Sequence, residues 1–180
     1  MRRSVFTYFI FACLLGVIVF VGMIMLSGVI DNNSARLQSS PNAVESDTLE
    51  EVQHMLSKRL QQGDVENGRK IFKQCAACHT SGRNQSHRVG PTLWEIVDRP
   101  FAIIEGFTYS RALRANSDKK WDFLTLDRYI QSPRKAIPGT IMSFRGLKND
   151  QDRADLLLYL RSLSNNPVSL PVDNEDGEED

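Results

Sequence analysis

Hydrophobic and polar positions change character several times along the chain. From Ser4 to Ile30 there is no charged residue, and Val5, Phe6, Phe9, Ile10, Leu14, Leu15, Val17, Ile18, Val19, Phe20, Val21, Ile24 and Leu26 leave no polar face. A helix crosses a bilayer core with about 20 such residues, so residues 1–30 are expected to form a single transmembrane helix. Arg2 and Arg3 precede the run and Asp31 follows it, which leaves the N-terminus in the cytoplasm and the remainder outside. A cleaved signal peptide has an apolar core of about 7–15 residues; this one is longer, so it reads as an uncleaved signal-anchor. Cys13 lies inside the run, where bulky Phe11 and the apolar residues after it oppose lipid attachment; it reads as a membrane-buried thiol.

The next stretch, Asp31–Asp47, is rich in Ser and Asn, contains Pro41, and reads as a flexible tether. Thr48 and Glu51 form a capping box, and Leu49, Val52, Leu56 and Leu60 follow at helical spacing. Residues 31–62 are thus a partly helical stem. It would reach about 110 Å fully extended or about 30 Å as a coil. Asp64 is an N-cap for a further helix with Val65, Gly68 and Phe72 along one side. Glycine inside a helix costs about 1 kcal/mol against alanine, a cost expected where a second helix crosses closely. The last periodic segment, Gln151–Ser162, places Leu156, Tyr159, Leu160 and Leu163 on its inner side. Little between these helices looks like strand, so residues 63–164 are expected to form an all-α domain, with residues 165–180 as an acidic tail.

Composition narrows this further. Of 180 residues, roughly 100 remain once anchor, stem and tail are set aside, enough for one modest core and too few for a two-domain enzyme. The net charge of zero hides a sorting of charge along the chain. Residues 63–164 carry 17 basic and 11 acidic residues, whereas residues 165–180 carry six acids and no base. The tail is expected to be disordered and to aid solubility. The basic excess includes Lys73, Arg83, Arg88, Arg134, Lys135, Arg145 and Lys148. It reads either as a face that steers the domain to acidic partners or as ordinary solvated charge. It forms no block, so nucleic acid is not an expected partner.

The chemistry sits in Cys75-Ala-Ala-Cys78-His79. Two thiols one helical turn apart can add to the two vinyl groups of haem, and the following imidazole can ligate the iron from the same side. Two other readings compete: a redox dithiol, which wants a βαβ context, and a zinc site, which needs further ligands. Only His54 and His87 remain as histidines, and no further cysteine lies beyond the anchor. Met142 is the one methionine after His79, and Pro138 and Gly139 stiffen the loop that would aim its thioether. A soft thioether stabilises ferrous iron; the alternatives are Met142 as a core filler or His87 as the second ligand.

These residues resemble the class I cytochromes c of the mitochondrial and alphaproteobacterial type. The likeness runs through Cys75-Ala-Ala-Cys78-His79-Thr80, His87-Arg88-Val89-Gly90-Pro91, Gly106-Phe107-Thr108-Tyr109-Ser110, Trp121, Tyr129, Pro138-Gly139-Thr140-Ile141-Met142 and Asp152-Arg153-Ala154-Asp155-Leu156, in order and at matching spacing. With the N-terminal apolar run, the resemblance is to membrane-anchored bacterial members. It implies a class I cytochrome c fold around one covalent haem c held by Cys75 and Cys78, with His79 and Met142 as axial iron ligands. Pro91 would accept from the His79 ring. Tyr109, Trp121 and Thr140 would hydrogen-bond the propionates, and Arg99 would neutralise them. Tyr129 would point its hydroxyl at the Met142 sulfur, Phe144 would cover the haem near its exposed edge, and His87 would pin one loop to another. The first and last helices would cross near Gly68 and Phe72, against Leu156 and Tyr159. Three positions depart from the pattern: Leu113 replaces an asparagine, Ile141 a lysine, and Asp98 a glycine before Arg99. Asp98 is thereby expected to pair with Arg99.

The resemblance implies an electron carrier rather than an enzyme. It would be single-pass in the inner membrane with its haem domain on the periplasmic side, passing electrons from the cytochrome bc1 complex to an aa3-type cytochrome c oxidase. Two alternatives stand beside it: a fixed haem subunit of another respiratory or reductase complex, and a haem peroxidase or sensor, which would need an open sixth position.

Overall fold

The local rules that start and stop helices account for most of the architecture. The structure, a computed structural model, describes residues 41–172, with side chains from residue 48. The expected anchor (residues 1–30), Cys13 and the acidic end of the tail (173–180) lie outside the described residues. Among the described residues no helix is long and apolar enough to cross a membrane. There are seven helices among them: α1 Pro41–Gln61, α2 Val65–Ile71, α3 Lys73–Ala76, α4 Arg111–Arg114, α5 Phe123–Gln131, α6 Pro133–Ala136 and α7 Asp150–Ser162. The described residues contain no strand, only an isolated antiparallel bridge between Pro100 and Lys120.

Side-chain caps fix the starts. Asp64 accepts from the Glu66 amide at 2.8 Å to begin α2, Asp122 from the Thr125 amide at 2.7 Å to begin α5, and Asn149 from the Asp152 amide at 2.9 Å to begin α7. The stem differs from expectation. Helix α1 starts at Pro41 rather than at a Thr48 cap, because proline suits the first turn of a helix and no breaker follows it. From Glu50 onward the chain is one compact unit. Leu56 is 2 % and Leu60 1 % exposed, so the core begins in the stem and not at Gly63. The reach of a free 32-residue tether therefore does not apply. The other boundary moves too: Arg161 Nε donates to the Val168 carbonyl at 2.6 Å, Ser57 Oγ to the Pro171 carbonyl at 2.8 Å, and Leu170 packs on the core. Residues 165–172 are thus a strap on the domain, not part of a disordered tail.

Helices α2 and α7 make the principal crossing. A Cβ on Gly68 would lie 2.5 Å from the Asp155 carbonyl carbon and 2.9 Å from Tyr159 Cβ, so the partners are Asp155 and Tyr159 rather than Leu156 and Tyr159. Phe72 and Tyr159 pack with ring centres 5.1 Å apart and their planes tilted by 53°. Asp155, itself buried, accepts from the Asp64 amide at 2.9 Å, Asn67 Nδ2 at 2.7 Å and Gln151 Nε2 at 3.0 Å, which ties the start of α2 to α7. Helix α7 buries Leu157 and Leu158 as well as Leu156 and Leu160, while Tyr159 and Leu163 stay half-exposed. Helices on more than one side of α7 widen its buried face beyond a single stripe. Val65, expected inside, is 39 % exposed.

Candidate haem site

The residues of the Cys-x-x-Cys-His motif sit at the end of the short α3, where the chain leaves helical structure. The His79 amide donates to the Cys75 carbonyl at 2.9 Å and the Cys78 amide to the same carbonyl at 3.0 Å, so one turn sets all three side chains. They open onto a cavity of about 330 Å³, within the range of sites that hold cofactors. Its walls are mainly apolar: Leu93, Ile96, Phe107, Leu113, Leu126, Ile130, Leu156 and Leu160 among others. Pro91, Arg99, Tyr109, Trp121, Tyr129, Thr140, Met142 and Phe144 also line it, so every sequence-predicted site residue meets there.

His79 Nδ1 lies 2.7 Å from the Pro91 carbonyl. A carbonyl only accepts, so Nδ1 carries the proton and Nε2 is left with its lone pair free to bind a metal. Burial above all, with the Arg99 charge adding to it, lowers the pKa of the imidazole despite the opposing pull of Pro91. The neutral ring, the form that ligates, is therefore favoured. Gly90 makes room for it: a Cβ there would lie 2.7 Å from His79 Nδ1 and 2.8 Å from Nε2. Gly90→Ala is expected to push the ring off Pro91 and to cost about 1–3 kcal/mol as an overpacked site. Urea unfolding of the haem-loaded protein, with the histidine ring signals by NMR, checks both effects.

Cys75 argues against a dithiol catalyst. Burial, and secondarily Cys78, push its thiol up to about 11, whereas reactive dithiols have lowered values. No cluster of three or more His, Cys, Asp or Glu side chains suited to a metal exists among the described residues, which leaves the zinc reading without ligands. His87 does not line the cavity. Its Nε2 is 3.0 Å from the Glu105 carbonyl and its ring meets Phe107 edge-on, so it joins two loops; its Nδ1 is buried without a partner.

Two contacts differ from expectation. Tyr129 directs its hydroxyl to Thr140 Oγ1 at 2.6 Å rather than to the Met142 sulfur. The same Oγ1 accepts from the Met142 amide at 3.3 Å, so Tyr129 acts on the backbone of the Met142 loop through Thr140. Asp98 does not pair with Arg99; it meets Lys120 at 3.4 Å. Asp98 has φ of 63°, a left-handed backbone that turns its side chain outward and that glycine would adopt most easily. Arg99 instead donates to the Trp94 carbonyl at 3.0 Å and the Thr92 carbonyl at 2.9 Å, wound into its own loop. Burial raises the pKa of both Tyr109 and Tyr129, the first offset by Arg99 and the second by Thr140. Both phenols therefore stay protonated and can donate. Trp121 stacks on Phe101 at 3.9 Å, which fixes its place in the wall. Val89 and Ile141, 79 % and 65 % exposed, give the cavity an apolar rim.

The family profile described as cytochrome c matches residues 65–164, more than half of the chain. The chain belongs to the cytochrome c family. It is 44 % identical over 98 residues to cytochrome c2 of Rhodomicrobium vannielii, covering 54 % of this chain and 78 % of that one. Against a cytochrome c homolog of Bradyrhizobium diazoefficiens, identity is 39 % over 118 residues, 65 % of this chain and 64 % of the other. The solved structure of cytochrome cH from Methylobacterium extorquens superposes with a TM-score of 0.51 at 33 % identity, covering 56 % of this chain and 99 % of that one. Cytochromes c are electron-transfer proteins that bind haem c covalently, and the all-helical fold and apolar cavity here suit that cofactor. Two thiols at the cavity, a neutral imidazole with a free Nε2, and a thioether are the donor set a covalent, two-ligand haem needs.

Sequence reasoning missed the inner ties of the site. The Tyr129–Thr140 pair and the backbone bonds of Arg99 leave no periodic signal, since each joins a side chain to a loop. The left-handed residues Asn84, Glu95, Asp98 and Ala102 shape the loop around Arg99; only Asn84 and Asp98 are types that favour this backbone.

Proposed function

We propose that this protein is a membrane-anchored electron carrier whose haem is bonded to Cys75 and Cys78 and ligated by His79 and Met142. One observation carries the reading: a single apolar cavity gathers the two cysteines, the Pro91-oriented imidazole and the only methionine that follows it. The haem supplies a one-electron couple, and no substrate bond is made or broken. The chain's residues do the rest. Pro91 holds the imidazole tautomer, and Thr140 fastens the amide of Met142. Arg99, Tyr109, Trp121 and Thr140 supply polar groups for the propionates. Val89 and Ile141 form a rim through which an electron passes to a docked partner.

The uncharged run Ser4–Ile30 supports a single-pass anchor in the inner membrane, with the haem domain on the periplasmic side. The basic excess of residues 63–164 supports acidic redox partners. The fitting pair is the cytochrome bc1 complex as donor and an aa3-type oxidase as acceptor. Anchoring confines the carrier to the membrane plane and raises its effective concentration there.

The test is to express the full chain with haem-attachment machinery and record the ferric near-infrared methionine–iron charge-transfer band. The band is expected in the native protein and entirely lost in Met142→Ala, with a fall in midpoint potential. A native protein without the band would put another ligand on the iron and remove the carrier reading. Fractionation tests the anchor: the full chain should sediment with membranes, and a chain lacking residues 1–30 should not.

A further inference from the structure

Arg59 belongs to α1, outside the residues matched by the family. Its side chain is only 18 % exposed, and Nη1 lies 3.9 Å from Asp127 Oδ1 and 3.7 Å from Asp150 Oδ2. Nη1 also donates to the Asp150 carbonyl at 3.4 Å, and Nε donates to the Met55 carbonyl at 3.1 Å. The same two carboxylates hold Arg153, which is 2 % exposed. Arg153 Nε meets Asp127 at 2.8 Å and Nη2 meets Asp150 at 2.8 Å. The remaining Nη1 of Arg153 donates to the carbonyls of Leu147 at 3.1 Å and Lys148 at 3.0 Å.

Those carbonyls end the loop that carries Met142. Residues 140–149 have no helical bonds of their own, so the loop depends on a few ties to the body. Besides Arg153 these include the Tyr129 hydroxyl paired with Thr140 Oγ1 at 2.6 Å at the loop's start, and, at its end, the Leu147 amide to the Ile130 carbonyl at 2.9 Å and Lys148 Nζ to the Gln131 carbonyl at 2.7 Å. The cluster is balanced, two guanidinium groups against two carboxylates. Without Arg59 it carries a net negative charge at a mostly buried place, which favours opening and entry of water. The carboxylates also become less neutralised and compete harder for Arg153, whose Nη1 serves the loop.

We propose that Arg59 is a positioning residue for the axial-ligand loop: the stem neutralises the acids that hold Arg153, and Arg153 fastens the segment that follows Met142. The stem is thereby part of the redox centre's support as well as its tether. The inference rests on the reading that Met142 ligates the haem.

The test is the rate at which the ferric, haem-loaded full chain captures excess imidazole, which follows release of Met142. Arg59→Ala is expected to speed capture about three- to tenfold, the range of a partly buried ion pair. Arg59→Lys, which keeps the charge, should stay within about twofold of the native rate. Ser57→Ala loosens the stem at the strap without touching the cluster and should leave the rate unchanged. If Arg59→Ala fails to fold and mature with its covalent haem, Arg59→Gln carries the same expectation. An unchanged rate in the Arg59 variant, or an equal rise in Ser57→Ala, overturns the proposal. The native charge-transfer band is recorded first. Its absence would sink the ligation reading and this inference with it, whereas a native band with an unresponsive Arg59 variant sinks the inference alone.

Discussion

Gly68→Ala is expected to destabilise the haem-loaded domain by about 3 kcal/mol or more, read as a fall in the urea midpoint with an unchanged slope. In an ordinary exposed helix the same change would stabilise by up to about 1 kcal/mol through propensity. Here the added methyl meets backbone. It would stand 2.5 Å from the Asp155 carbonyl carbon and closer still to the oxygen, with Tyr159 Cβ at 2.9 Å on the other side. A flexible side chain could swing away, but a carbonyl inside α7 cannot. Either α2 rides outward or α7 bends. Both moves strain the bonds that Asp155 makes to Asp64, Asn67 and Gln151. The crossing also seats Phe72, and three residues later comes Cys75, so the haem-bearing turn moves with α2. A stability unchanged or raised in Gly68→Ala would show that the two backbones do not meet there.

The glycine at that crossing was legible in the sequence, because a costly residue inside an otherwise good helix asks for a reason. So were Asp64 as a cap, the start of α7 to within a residue, and the meeting of Cys75, Cys78, His79 and Met142 at one cavity. Each is a local pattern or a fixed spacing. What the sequence did not show is long-range. Leu56 and Leu60 have helical spacing, but that spacing is shared by a free amphipathic stem and by a docked one. The strap at residues 165–172 carries little periodicity, and its hold is the carbonyls of Val168 and Pro171, which have no side-chain signature. The family likeness points the Tyr129 hydroxyl at the Met142 sulfur, yet the Thr140 hydroxyl takes the bond. Adjacency suggests that Asp98 pairs with Arg99; its left-handed backbone sends it to Lys120 instead. Neighbours in sequence need not share a direction, and φ decides which way each points.

At Arg153, whose burial no local pattern announces, a second large effect is expected. A charged residue on the last helix passes for a surface position, but this one is 2 % exposed and every arm of its guanidinium is bonded. Arg153→Met removes the charge and leaves Asp127, itself buried, facing only Arg59 at 3.9 Å. Breaking one side of a buried pair costs about 3–5 kcal/mol, chiefly for the charge left behind. Asp150 adds little, because its side chain is 62 % exposed and water can take over. Removing both partners separates two roles. In Arg153→Met with Asp127→Leu no stranded carboxylate remains, and stability should return to within about 1–2 kcal/mol of the native protein. The carbonyls of Leu147 and Lys148 still lack their donor, so the Met142 loop should stay loose. The urea midpoint should therefore recover in the double variant while imidazole capture by the ferric haem remains fast. Recovery of both would mean that the guanidinium acts on the loop only through global stability. Recovery of neither would mean that its aliphatic packing, not its charge, is what α7 needs.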